Sequence, residues 1–266
     1  MRTRRVRRAA SALLMTLWAC GAAAQPRPEI VRAFERYSAA VEARIERDRG
    51  ASRFLRLAAD PRARARLRAG EAQAVSARTL GVQPSIDIPG AQVQHWVGAA
   101  FIPAMTIARA LPRLQDYDNR KRDMAPSISE SRILSREGNQ FRVWLRVQQR
   151  AMIPAVFDLI LRIAYRAEGS GQLEIESRTE SVHEVPGVDA PRGATARDRG
   201  LLWALNHYWR FAEQDGGVYV ECEALVLARQ TPVLLRWIAD PLVARASRRT
   251  LDGTLEETVR MVQREP

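Results

Sequence analysis

Three histidines, one mid-chain cysteine and a scatter of hydroxyls are the residues here that could do chemistry. His95, His183 and His207 lie far apart and lack the short spacing by which imidazoles share a metal ion. The sequence has no Gly-x-Ser-x-Gly, no phosphate loop and no Cys-x-x-Cys. Cys222 sits among small apolar residues, where a cysteine packs rather than attacks. Each histidine falls in the apolar phase of an alternating segment. Val93, His95, Val97, Ala99 and Phe101 share one phase; Ile175, Ser177, Thr179, Ser181 and His183 share another. Trp203, Leu205, His207, Trp209 and Phe211 share a third. A period of two sends such residues to one face of a strand. If the three faces turn inward, three imidazoles meet Ser177 and Thr179 in an apolar interior, where each polar group needs a partner. The expected ligand-binding set is therefore His95, Phe101, Leu161, Ser177, Thr179, His183, Trp203, His207, Trp209 and Leu255. The alternative is that each histidine bonds neighbouring backbone or buried water. No catalytic residue, metal ligand or cofactor is expected.

Elements must hold these residues in place. Pro26 to Arg49 repeats Ile30, Phe34, Tyr37, Val41 and Ile45 at spacings of three and four, an amphipathic helix. Asp60-Pro61 opens a short second helix. Gly70 to Leu80 and Gln92 to Ile102 read as strands. Met105 to Asp118 reads as a helix, kinked by Pro112 or starting one turn later. Asn119 to Pro126 is a charged loop. Ser129–Ser135 and Gln140–Gln148 make a hairpin across Glu137-Gly138-Asn139, and Val156–Ala167 and Leu173–Val185 continue the run. Pro186 to Arg199 is a loop that covers something or stays free. The last hairpin turns at Asp215-Gly216-Gly217, where positive φ is needed. Its second strand puts Val218, Val220, Cys222, Ala224 and Val226 on one face; Glu221 and Glu223, on the other, are expected at water. After Thr231-Pro232 the period becomes helical, with a break at Pro241 and an apolar stripe of Leu251, Leu255, Val259 and Val262.

Composition bounds the setting. Arg2, Arg4, Arg5, Arg7 and Arg8, an apolar run from Ala9 to Trp18, and Ala22-Ala23-Ala24 before Gln25 predict a cleaved secretory signal peptide over 1–24. Leu17-Trp18-Ala19-Cys20 offers a lipobox-like alternative that would lipidate Cys20. Removing 24 residues of 266 leaves 242, and loss of five arginines takes the charge from +12 to +7. Only Cys222 then remains, so no internal disulfide forms. A periplasmic or secreted protein is expected, and export argues against nucleic acid as a partner despite the basic balance. Arg120, Lys121 and Arg122 could touch anionic membrane headgroups.

Three stretches resemble the START-like, or SRPBCC, helix-grip superfamily, with its coenzyme-Q-binding and polyketide-cyclase-like relatives. Ala110-Leu111-Pro112-Arg113-Leu114-Gln115-Asp116-Tyr117-Asp118 resembles the first grip helix; Ser129-Glu130-Ser131-Arg132-Ile133-Leu134-Ser135 resembles the strand after it. Trp209-Arg210-Phe211 through Gly216–Glu221 resembles the last hairpin, and Leu251-Asp252-Gly253-Thr254-Leu255 the closing helix. Asn119-Arg120-Lys121-Arg122 departs from the relatives' Pro-x-Trp segment. The resemblance implies an α+β fold with a curved antiparallel sheet wrapped around a long C-terminal helix, to which this chain adds an N-terminal helix. It divides the chain into the leader (1–24), an N-terminal helical extension (25–69) and a START-like domain (70–262). It also implies a cavity between sheet and helix for a lipid or other hydrophobic small molecule. Two other functions are open: a cyclase- or hydrolase-type enzyme using a cavity histidine, and an envelope interaction protein whose cavity is filled by its own side chains.

Overall fold

The computed structural model describes residues 25–264 apart from 51–52, 151–152, 168–170, 197 and 233–235. The leader and Cys20 lie outside the described residues. Helix α1 (Pro28–Gly50) is followed by α2 (Pro61–Arg68) and strands β1 (Gln73–Ser76) and β2 (Ala91–Pro103). Next come α3 (Ile107–Gln115), α4 (Arg120–Met124), β3 (Ile128–Glu137), β4 (Gln140–Gln149), β5 (Ala155–Ala167) and β6 (Gln172–Val185). The hairpin β7 (Ala204–Gln214) and β8 (Gly217–Arg229) leads to the closing helix α5 (Arg236–Gln263).

The strands form one antiparallel sheet in the order β1-β2-β8-β7-β6-β5-β4-β3. With α5 packed along its concave face this is the helix-grip α+β arrangement. The β7–β8 turn has Asp215 at φ 53° and Gly216 at φ 74°, the paired positive angles that match the twist of a two-residue hairpin. Asp60 caps α2 by accepting from the Arg62 and Ala63 amides, with Pro61 at the first helical position.

Three local expectations are corrected. The helix expected from Met105, kinked at Pro112 or starting a turn later, begins at Ile107 with Thr106 as its cap and ends at Gln115, with Pro112 inside it. The segment expected as a charged loop contains the single turn α4. Pro241 lies inside α5, which runs through it.

Each face of the sheet is covered by a different part of the chain. The concave core joins Phe157, Leu159, Leu161, Ile163, Val218, Val220 and Phe211 to Leu251, Leu255, Met261 and Val262 of α5. On the outer face, α1 lays Ile30, Phe34, Tyr37, Val41 and Ile45 over Leu225, Leu227 and Tyr208. The segment from Phe54 to Leu67 packs beside it on Val97, Ala99 and Tyr219. Buried side chains of this size each contribute about 1.5–3 kcal/mol, so α1 is fastened by its whole apolar stripe. Among the described residues no helix is long and apolar enough to cross a membrane.

Candidate functional site

The strand registers lay out the concave surface. One cross-strand row runs Trp96, Ala224, His207, Ser177, Ile163, Phe141. On one side of it lies Gln94, Val226, Leu205; on the other, Gly98, Cys222, Trp209, Ile175, Tyr165. α5 crosses these rows near Gly98. A Cβ built there would stand 2.7 Å from Leu255 Cδ1 and 2.9 Å from Leu251 Cδ2, so strand and helix touch with no side chain between them.

Beyond that contact the concave face is closed. Tyr117 donates to the Tyr165 hydroxyl at 2.7 Å, and Tyr165 donates to the Leu114 carbonyl at 2.6 Å. Phe141 packs on both rings, with centroids 5.6 and 5.4 Å away. Arg120 is buried: it donates to the Leu114 carbonyl at 2.6 Å, touches Met261 Sδ and lies over the Tyr117 ring.

The other end is not sealed. Trp96, Leu205, Trp209 and Val182 pack against the core yet stay half-buried, as do Leu201 and Leu202. None of residues 242–250 of α5 is buried. His207 stands in this open half with Trp209 edge-on, centroids 6.0 Å apart. Burial among apolar groups pushes its imidazole down to about 4, so it is neutral at pH 7. Burial also pushes the Cys222 thiol well up, which leaves it inert as a nucleophile.

The structure brings Leu161, Ser177, Thr179, His207, Trp209 and Leu255 to the concave side. Thr179 is spoken for: its hydroxyl donates to the Leu205 carbonyl at 2.7 Å and accepts from the Leu205 amide at 2.8 Å. Four expected positions are corrected. His95 and Phe101 do share a face with Val97 and Ala99, but that face meets α1 and α2, and Phe101 packs on Tyr219 at 4.6 Å. Trp203 precedes β7, leaves its alternation and packs against the α1 cluster. His183 is exposed, because β6 carries an extra residue: Ile160 pairs with Ser181, but Leu161 pairs with Thr179. A bulge of one residue reverses the phase of everything after it. The extra residue, Glu180, takes bonds from Arg142 and Arg162, which hold its carboxyl down at about 2. The three imidazoles therefore do not converge.

The basic triplet is corrected too. Arg120 is buried, Lys121 reaches Glu130 at 2.5 Å and Arg122 lies 3.4 Å from Asp123. The structure gives a membrane surface no support at this triplet. The loop after β6 lies on the outer face, where Arg146 donates to the Val188 carbonyl at 3.0 Å and Arg192 lies over Trp144.

Sequence reasoning missed a buried charged cluster beneath α1. Glu221 and Glu223, expected at water, are each 0% exposed and Arg210 is 2% exposed. Arg210 donates to Glu221 at 2.8 Å, and Glu221 also accepts the Leu57 amide at 2.7 Å. Glu223 accepts from Arg44 and meets His95 Nε2 at 2.6 Å. Tyr37 stands 2.9 Å from the other ring nitrogen of His95, and Asp48 accepts from Arg44 and Arg56. Burial pushes Glu223 up, but His95, Arg210 and Arg44 outweigh it and hold the carboxyl at about 2. The available signal was the cross-strand pair Arg210–Glu221 together with an α1 stripe that needed a surface to cover. A hollow of about 450 Å³ also opens on the outer face, between β3 and β6, but Arg142 and Arg162 at its wall are already committed to Glu180. Among the described residues no group of three His, Cys, Asp or Glu could hold a metal ion.

No protein-family model and no curated protein sequence matches the chain. Solved structures do. One is a STAR-related lipid transfer protein fragment from Xanthomonas axonopodis, with 16% identity and a TM-score of 0.47, over 68% of this chain and 97% of that one. A second is the Zhui aromatase/cyclase from Streptomyces sp. R1128, at 13% identity and 0.46, over 65% and 95%. A third is human STARD10, at 11% identity and 0.46, over 67% and 71%.

Proposed function

We propose that this protein binds a lipid or other hydrophobic small molecule in the open half of its concave face, beneath the N-terminal part of α5, and releases it unchanged. One observation carries the reading. Trp96, Leu205, Trp209 and Val182 face the core side of the sheet and remain half-buried, and none of residues 242–250 of α5 is buried. A ligand placed there completes a surface that the described residues leave incomplete, at about 25 cal/mol per Å² of apolar area removed from water. The predicted leader makes the proposed setting periplasmic or secreted.

An enzymatic use of His207 has less support. The imidazole has no carboxylate to orient it, and at about 4 it is a weak base at neutral pH. The filled-cavity reading fits the Gly98 end, where α5 touches the strand, and does not fit the open end. Native mass spectrometry of the purified chain, followed by solvent extraction, tests the proposal. A co-purifying apolar molecule, lost when Leu205→Arg charges the open half, is the expected result. A consistently empty chain that also refuses added lipid overturns it.

A further inference from the structure

Two hydrogen-bonding side chains stand next to each other in the open half of the groove, and among the described residues neither has a partner. Ser177 is the direct cross-strand neighbour of His207, and His207 of Ala224. Such neighbours have Cβ atoms ~4.5–5.5 Å apart, so a hydroxyl and an imidazole at these positions can reach one ligand atom. Ala224, with Trp96 beyond it, leaves the His207 ring a short neighbour on its far side. Ser177 is 6% exposed, and neither it nor His207 has a hydrogen-bond partner among the described residues. A ligand oxygen bonded by this pair gains about the worth of one hydrogen bond, roughly 0.5–1.5 kcal/mol.

We infer that the Ser177–His207 pair selects an uncharged oxygen, a hydroxyl or carbonyl, on an otherwise apolar ligand and discriminates against a carboxylate or phosphate. The inference rests on the binding reading above and names the chemistry that site accepts. The concave rows on either side carry no charged residue: Gln94, Val226 and Leu205 on one, Gly98, Cys222 and Trp209 on the other. Neutral imidazole and serine each offer one donor and one acceptor, which suits a hydroxyl or carbonyl. Among the described residues these rows offer an anion no cation, and Arg120, at the closed end, is taken up by the Leu114 carbonyl and the Tyr117 ring. On α5, Asp240 and Asp252 each have a buried oxygen lacking a partner, so the helix adds no unsatisfied cation among these buried groups. The Arg248 guanidinium on the same helix lies 3.8 Å from Asp252.

The test is calorimetric titration of the full chain with dodecane, dodecanol, 2-dodecanone and dodecanoate, which share a chain length and differ in head. Dodecanol and dodecanone should bind about tenfold tighter than dodecane, the worth of one good buried hydrogen bond. Dodecanoate should bind no better than dodecane. Ser177→Ala and His207→Phe should each bring the ratio of dodecanol to dodecane affinity down toward one, and His207→Gln should restore part of that ratio. Should one variant fail to fold, the other decides the matter. Dodecanoate binding as tightly as dodecanol, or an alcohol preference that survives both substitutions, overturns the inference and leaves the binding reading standing. Failure of all four probes, dodecane included, removes both.

Discussion

Nε2 of His95 lies 2.6 Å from a carboxylate oxygen of Glu223, and both side chains are shut away from water beneath α1. With Glu223 ionised, Nε2 carries the proton, and in neutral His95 the other nitrogen accepts from Tyr37 at 2.9 Å. Three carboxylates, Glu221, Glu223 and Asp48, face three guanidiniums, Arg210, Arg44 and Arg56. The outer face of the sheet is therefore not a solvated back wall. It is a second core, part apolar and part ionic, that joins the N-terminal helix to the sheet.

Removing one member of that cluster should cost far more than a surface ion pair does. Glu223→Gln leaves Arg210 with Glu221 alone and Arg44 with Asp48 alone, so the buried cluster carries one positive charge in excess, and a loss of about 3–5 kcal/mol is expected. Urea denaturation of wild type and variant measures it. A loss below 1 kcal/mol would mean that the cluster is solvated.

Acid should weaken the fold through the same carboxyl. Glu223 sits at about 2 in the folded chain against 4.5 for an ordinary glutamate. Its contribution is thus present above pH 4.5 and lost as pH falls toward 2. Stability measured by denaturation should fall across that window, and Glu223→Gln should flatten part of the slope.

His207 acts in the same direction but higher on the scale. Its folded value of about 4 lies below 6.5, so the unfolded chain binds the extra proton first. Stability from this group is complete above pH 6.5 and declines as pH falls toward 4. Proton NMR of the imidazole should show a midpoint near 4, and one near 6.5 would place the ring in water.

Gly98 should resist enlargement. Gly98→Ala drives a methyl against Leu255 and Leu251, at a cost of about 1–3 kcal/mol. Pairing it with Leu255→Ala should recover part of that loss, because the smaller helix residue vacates the space. A double-mutant cycle by thermal denaturation measures the coupling; strict additivity would show that α5 does not touch the strand there.

Anchoring by α1 gives a last expectation. Phe34→Ala removes a fully packed ring from the outer core and should cost about 3–5 kcal/mol. Tyr37→Phe removes one hydrogen bond to His95 and should cost about 0.5–1.5 kcal/mol. The ratio of the two losses, read from denaturation midpoints, separates apolar from ionic fastening.

The sequence by itself determined a good deal. The alternation in 92–102 and 204–226, the turn at Asp215-Gly216 and the stripe of α1 follow from local periods, which need no knowledge of neighbours. So does the sorting of residues into two faces: Val218, Val220, Cys222 and Ala224 do share one, with Glu221 and Glu223 on the other. Only the tertiary structure decided what each face meets. Period two separates the sides of a strand without saying which is wet, so Glu221, Glu223 and His95 became buried when α1 settled on them. The bulge at Glu180 turned His183 outward by a single added residue, a shift that leaves no mark in the hydropathy of β6. The pairing of Ser177 with His207, which are 30 positions apart, is a matter of register between strands, and register is fixed by the whole sheet rather than by either segment.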